Sequence, residues 1–182
     1  LHRIICQFGL DILNISEKEL EYDFVFVIEE ILYKEKHNQQ EVEQMTLTEE
    51  KRNLFDIPDK YYLAHCISSD YALGAGIAIE FQKRFKLRDT LVALGTGQYP
   101  NTICIGRVFN LVTKDRYWNK PTYETLKFTL EQMKGFCVDD DIKYLAMPKI
   151  GCGLDRLQWS RLREIIEDIF SDTDINIMVC SL

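Results

Sequence analysis

From Met45 to the end of the chain, apolar runs of strand length alternate with segments of helical period. "MTLTEEKR" and "YYLAHCI" (61–67) read as strands, and "GAGIAIEFQKRF" (74–85) reads as a helix with glycines at its start. "TLVALGTG" and "TICIGRVFNLVT" read as strands, separated by turn signals from Gly95 to Pro100. Pro121 opens a helix with an acidic first turn and the periodic run "YETLKFTLEQMKGF". "YLAMPKI" is a short strand ended by proline, and "DINIMVC" closes the chain as another. Between them "QWSRLREIIEDIF" is an amphipathic helix with Trp159, Leu162, Ile165, Ile166 and Ile169 on one face. A chain ordered this way is expected to fold as an α/β three-layer sandwich, a mixed central sheet between helices.

That architecture says where to look for a site. Ligands of such sheets bind beyond the carboxyl ends of strands. Two glycine-containing loops fall there, each leading into a helix: "SSDYALGAG" after strand 61–67, and "PKIGCGLD" after strand 143–147. Backbone N–H groups at a helix start, with no Cβ in the way, cradle anions. Two cradles on one sheet edge predict a diphosphate ligand.

The first quarter is a different kind of segment. Residues 1–45 hold four Lys/Arg and ten Asp/Glu, against eighteen and nineteen in residues 46–182. Ser16 and Glu19 form a capping-box pattern. Leu20, Phe24, Val27, Ile28, Ile31 and Leu32 then follow at helical spacing, which predicts a helix from about 17 to 36 and a polar linker after it. Residues 1–44 are thus read as an acidic, partly helical accessory extension, and residues 45–182 as the folded domain.

The net charge of −7 argues against a general duplex-binding surface, which needs a basic face, but leaves room for a pocket that takes one anionic ligand. The six cysteines are scattered without a C-x-x-C pair, so neither a zinc site nor a disulfide framework is expected. Reduced thiols fit a cytoplasmic protein, or a nuclear one in a eukaryote. No apolar run is long enough to span a bilayer, and no signal peptide is read.

Taken together, "LAHCISSDYALGAGIAIEFQKRF", "FNLVTK", "KPTYETL" and "PKIGCGLDRLQW" resemble the macrodomains. They look most like the terminal ADP-ribose protein glycohydrolase branch, in the ALC1-like class. The likeness covers roughly residues 46–182, in the right order, including the ending "TDINIMVCSL". It implies an ADP-ribose cleft, hydrolysis of ADP-ribose from acidic side chains, and deacylation of O-acetyl-ADP-ribose. It implies no cofactor and no metal. ADP-ribose and ADP-ribosylated protein would be the partners of a monomer, with ADP-ribosylated DNA as a further substrate. The alternatives are a reader that binds ADP-ribose without turning it over, and a hydrolase of ADP-ribosylated nucleobases in DNA.

The resemblance also assigns roles. The lysine nucleophile falls on Lys114, in "LVTK", and the aspartate acid/base on Asp155, in "GCGLD". Alone, Lys114 would read as a solvated loop charge and Asp155 as a helix cap. As a pair they suit the chemistry, because a free amine can attack an anomeric carbon while a carboxylate moves the protons. Gly74, Ala75 and Gly76 would line the distal ribose and phosphate region, with Ser68 at the strand exit. His65 is either a ligand contact or a hydrogen-bonded core histidine. Ile150, Gly151, Cys152, Gly153 and Leu154 would wrap the diphosphate, with Cys152 a small turn residue and not a nucleophile. Leu54 and Leu182 complete the binding set. Macrodomains carry a Gly-Asp pair whose aspartate meets the adenine amino group. Here Arg52 and Asn53 stand in those places. Asn53 accepts through its carbonyl oxygen without the charge-assisted bond, so weaker adenine recognition is expected.

Overall fold

The structure, a computed structural model, describes residues 44–95 and 97–181. The predicted helix over 17–36 and Leu182 lie outside the described residues.

Six strands form one sheet in the order β1-β6-β5-β2-β4-β3. They are β1 (Thr46–Lys51), β2 (Tyr62–Ser68), β3 (Asn101–Ile105), β4 (Val108–Lys114), β5 (Tyr144–Pro148) and β6 (Asn176–Ser181). Every pairing is parallel except β3 with β4, so the sheet is mixed. Four helices cover it: α1 (Ile77–Phe85), α2 (Leu87–Leu94), α3 (Tyr123–Asp139) and α4 (Trp159–Phe170). This is the three-layer α/β sandwich that the alternation predicts.

Strand parity divides the core in two. Phe109, Leu111, Leu145, Met147, Ile177 and Val179 face one way, onto Leu126, Leu130 and Met133 of α3 and Leu162, Ile166 and Phe170 of α4. Their neighbours Val108, Val112, Ala146, Met178 and Cys180 face the other way, onto Phe81 of α1 and Leu87 and Leu91 of α2. Burial on both faces explains why these strands are continuous apolar runs and do not alternate with polar residues. α3 starts where expected. The Thr122 hydroxyl accepts from the Thr125 N–H at 3.2 Å, and the Thr125 hydroxyl accepts from the Thr122 N–H at 3.0 Å.

Two expectations are corrected. The run "TLVAL" of "TLVALGTG" is not a strand but the second half of α2. Leu87 and Leu91, four residues apart, are the buried pair, while Val92 and Leu94 are exposed. A window opened at Thr90 sees only half of that period. "TICIGRVFNLVT" is a hairpin and not one strand. Gly106 takes φ +56°, and Ile105 pairs with Val108 across the two-residue turn.

His65 is a correction of another kind. It shares the parity of Leu63 and Ile67, is fully buried, and stacks on Phe81 with ring centroids 3.9 Å apart. The Asn110 amide nitrogen donates to the Ile103 and Val108 carbonyls, so its Oδ1 accepts from His65 Nε2–H at 2.9 Å. His65 Nδ1 then carries the lone pair, with no partner among the described residues. Of the two roles open to His65, the structure takes the core histidine.

Burial lowers the His65 pKa to about 4, with the Asn110 bond opposing. The folded state therefore binds fewer protons than the unfolded state between about pH 6.5 and pH 4. The stability that follows is whole above pH 6.5 and is lost as the pH falls toward 4, about 3 kcal/mol across the window. Denaturant unfolding at pH 6.5 and 4.5 should show wild type losing about 2 kcal/mol more than His65→Gln. Equal losses would contradict the neutral buried ring.

Candidate active site

Because five strands run parallel, the carboxyl ends of β1, β6, β5, β2 and β4 lie along one edge of the sheet. The two glycine loops leave the adjacent strands β2 and β5, so they sit side by side. They touch: a Cβ on Gly76 would lie 3.6 Å from Leu154 Cδ1.

Lys114 reaches this edge through a defect in the ladder. Ile67 pairs with Val112, but Ser68 pairs with Lys114, so Thr113 is an extra residue. Without that bulge, Lys114 would carry the parity of Asn110 and Val112 and point under α1. A bulge re-aims the side chain that follows it. Lys114 Nζ meets Asp155 Oδ1 at 2.6 Å, and both side chains are largely shielded, 14% and 13% exposed. The amine and the carboxylate singled out in the sequence are thus brought into contact from β4 and from the β5–α4 loop.

Near the pair, on β2, lies Cys66. Burial first, and the Asp155 charge second, push its thiol up to about 12, so it serves as packing and not as a nucleophile. Cys152 behaves alike. Its thiol donates to the Ile150 carbonyl at 3.3 Å, and burial raises its pKa against the opposing Lys149 charge. Gly151 suits this tight turn. It takes φ +68°, and a Cβ would lie 2.8 Å from Leu126 Cδ1 and 3.2 Å from Leu157 Cδ1.

The same loop offers donors. Among the described residues no acceptor meets the N–H groups of Gly153, Leu154 and Asp155. Across from them α1 starts at Gly76 with no side-chain cap, which leaves its first N–H groups open. Next to this lies a cleft of about 680 Å3, whose walls include Asn53, Leu54, Ile77, Cys152, Gly153, Cys180 and Ser181. Lys114 and Asp155 are not among its walls, and the 150–155 loop connects the two.

Other anticipated residues fall as follows. Gly74, Ala75 and Gly76 are exposed in the loop before α1. Ser68 is buried, and its hydroxyl donates to Asp70 and does not face the cleft. The Ile150 side chain is in the core, so only its backbone can serve the loop. Asn53 Oδ1 accepts from the Phe55 N–H at 3.1 Å and caps the 3₁₀ turn Leu54–Asp56. One lone pair is used there, which leaves the second and the amide donor for a ligand.

Two positioning carboxylates escaped the sequence reading. Asp70 accepts from Ser68 Oγ, the Ala72 N–H and the Tyr117 N–H, fastening the β2 loop to the β4 loop. Burial opposes its ionisation, but these donors together hold its pKa below the usual range. The short spacing in "SSD" was the available signal. Glu49, on β1, ties both ends of the β5–α4 loop. Its oxygens accept from Lys149 Nζ at 2.9 Å, Trp159 Nε1 at 2.9 Å and Arg163 at 3.1 Å. The Trp159 bond first, then Lys149, lower its pKa.

Glu49→Ala should therefore speed hydrogen exchange about tenfold at the bonded loop amides of Ile150, Cys152, Arg156 and Leu157 while leaving β2 and β4 protected. Unchanged exchange in the loop would show that the clip is decorative.

No family model matches this sequence. Curated relatives do, among them the proteins named ADP-ribose glycohydrolase OARD1 from Bos taurus and from Homo sapiens. Each is 42% identical over 147 residues, covering 75% of this chain and 91% of the relative. Among solved structures, the macrodomain of Thermus aquaticus DarG superposes with a TM-score of 0.66 at 18% identity, covering 76% of this chain and 99% of that one. Thermosipho africanus DarTG in complex with ADP-ribose superposes with a TM-score of 0.57 at 18% identity, covering 75% of this chain and 41% of that one. With its six-stranded mixed sheet and the extent of its identity to the OARD1 proteins, the chain belongs to the macrodomain family of ADP-ribose glycohydrolases.

Proposed function

We propose that this protein is an ADP-ribosyl hydrolase that removes ADP-ribose from glutamate and aspartate esters and deacylates O-acetyl-ADP-ribose. The observation that carries this reading is the 2.6 Å contact between Lys114 and Asp155, at the sheet edge where two glycine loops meet. The names of the OARD1 relatives and the ADP-ribose in the Thermosipho complex support it. The motif set around Lys114 and Asp155 supports placing the chain in the ALC1-like class.

In this reading the adenosine occupies the cleft, with Leu54 and Ile77 as apolar walls and Asn53 at the base edge. The diphosphate lies on the N–H groups of Gly153, Leu154 and Asp155, facing the open start of α1. Gly74 to Gly76 leave space for the distal ribose, whose anomeric carbon sits at the Lys114–Asp155 pair.

The chemistry follows from that placement. Asp155 takes a proton from Lys114, freeing the amine. The amine attacks the anomeric carbon, a C–N bond forms, and the ester C–O bond breaks as the acceptor takes the proton held on Asp155 and departs as a carboxylic acid. The sugar–lysine adduct opens to a protonated imine as a proton passes from its nitrogen to the ring oxygen. Water then adds to the same carbon with Asp155 as base. The C–N bond breaks, Lys114 recovers its proton, and ADP-ribose leaves. Net, one water is consumed and one carboxylic acid released.

The substrate would be ADP-ribosylated protein, acted on by a monomer. The free thiols at Cys66, Cys104, Cys137, Cys152 and Cys180 support a cytoplasmic setting.

Lys114→Ala should lower release of ADP-ribose from a glutamate-linked substrate by about a hundredfold or more while retaining ADP-ribose binding in calorimetry. Equal turnover would remove the lysine from the mechanism, and tight binding with no turnover by wild type would make the protein a reader. Asn53→Asp should bind free ADP-ribose about fivefold tighter, because a charged acceptor replaces a neutral one. No gain in affinity would contradict the placement of the adenine beside Asn53.

A further inference from the structure

The loop that leaves β4 after Lys114, residues 115–120, is fastened in several places. Ser69 Oγ donates to the Asp115 carbonyl at 2.7 Å, and the Tyr117 N–H donates to Asp70 Oδ2 at 3.0 Å. Lys120 Nζ donates to the carbonyl of Leu154, the residue before Asp155. Despite this anchoring, the loop holds two large aromatic side chains in water: Tyr117 is 63% and Trp118 65% exposed. Their rings pack edge to face, 4.7 Å apart. Leu154 is 64% exposed. None of the three belongs to either half of the core. Exposed apolar groups held on an anchored loop beside a reactive pair mark an interaction surface. Arg116, in the loop, and Arg156, next to Asp155, are exposed cations on the same stretch.

We propose that Tyr117, Trp118 and Leu154 dock the acceptor: an acidic peptide segment that carries the modified carboxylate, with an apolar residue seated on the aromatic pair. The inference rests on reading Lys114 and Asp155 as the hydrolytic centre. Two observations favour a peptide over a nucleic acid strand. An edge-to-face pair at 85° does not offer parallel faces for successive bases. The loop's cations are already engaged, Arg116 with Asp115 at 3.6 Å and Lys120 with the Leu154 carbonyl, so they do not form a track for a phosphate backbone. A peptide needs only an apolar anchor and a local charge match with Arg156, which makes no ion pair among the described residues.

The test compares wild type with the double variant Tyr117→Ser/Trp118→Ser on three substrates. These are a glutamate-linked ADP-ribosyl peptide with acidic flanks and an adjacent leucine, O-acetyl-ADP-ribose, and ADP-ribosylated single-stranded DNA. The expected result is about a tenfold fall in kcat/KM on the peptide, with O-acetyl-ADP-ribose turnover and ADP-ribose affinity unchanged. No fall on the peptide, an equal fall on both esters, or a fall confined to the DNA would each overturn the proposal. Calorimetry decides the surface independently of turnover: wild type should bind the peptide conjugate more tightly than free ADP-ribose, and the variant should lose that difference. A wild type that hydrolyses none of the substrates but keeps the binding difference would sink the enzyme reading and leave the docking surface standing. A wild type that binds both ligands equally would remove the docking surface.

Discussion

The contact between Lys114 and Asp155 joins two parts of the chain 41 residues apart, and much of the surrounding structure bears on it. The parallel run of β2, β4 and β5 brings both groups to one edge. The bulge at Thr113 turns the lysine to the correct side of the sheet. Gly151, with a left-handed backbone and little room for a Cβ, lets the aspartate loop fold down against Leu126 and Leu162. Two charges this shielded cost free energy unless each has a partner. The pair is therefore a local compromise that the fold sustains.

Carboxylates away from that contact set its geometry. Glu49 fastens the aspartate loop at Lys149 and at Trp159, its two ends. Asp70 fastens the lysine side, through the Tyr117 N–H, to the loop that holds Gly74 to Gly76. The positive backbone angles of Tyr71 and Leu73 fit this picture, because both side chains are buried and hold the loop from below. The site thus combines fastened backbone with unmet N–H donors, which is what a ligand with two phosphates requires.

Much of this was legible from residues alone. α3 and α4 have long periodic faces and clear starts, and β5 and β6 are apolar runs bounded by turns, so local pattern and tertiary burial agree. α2 was not legible as a helix from Thr90 onward, because its inward pair begins at Leu87 and its outward face carries Val92 and Leu94. Lys114 and Asp155 were legible only through their neighbours, since neither residue is informative singly. The bulge, the Glu49 clip and the place of Cys66 near the pair depend on contacts between strands and helices distant in sequence, which no local pattern encodes. His65 shows the converse. A polar residue in a motif looked like a ligand contact, while strand parity with Leu63 and Ile67 already placed it beneath a helix.

The central claim is that the Lys114 amine bonds to the anomeric carbon during turnover. Reducing the working enzyme with cyanoborohydride, in the presence of a glutamate-linked ADP-ribosyl substrate, tests this directly by peptide mass spectrometry. The account predicts an ADP-ribosyl mass on the peptide that contains Lys114, appearing with substrate and growing as activity is lost. Continued turnover under the reductant with no adduct, or an adduct on another lysine that accumulates with inactivation while Lys114 stays unmodified, would contradict it.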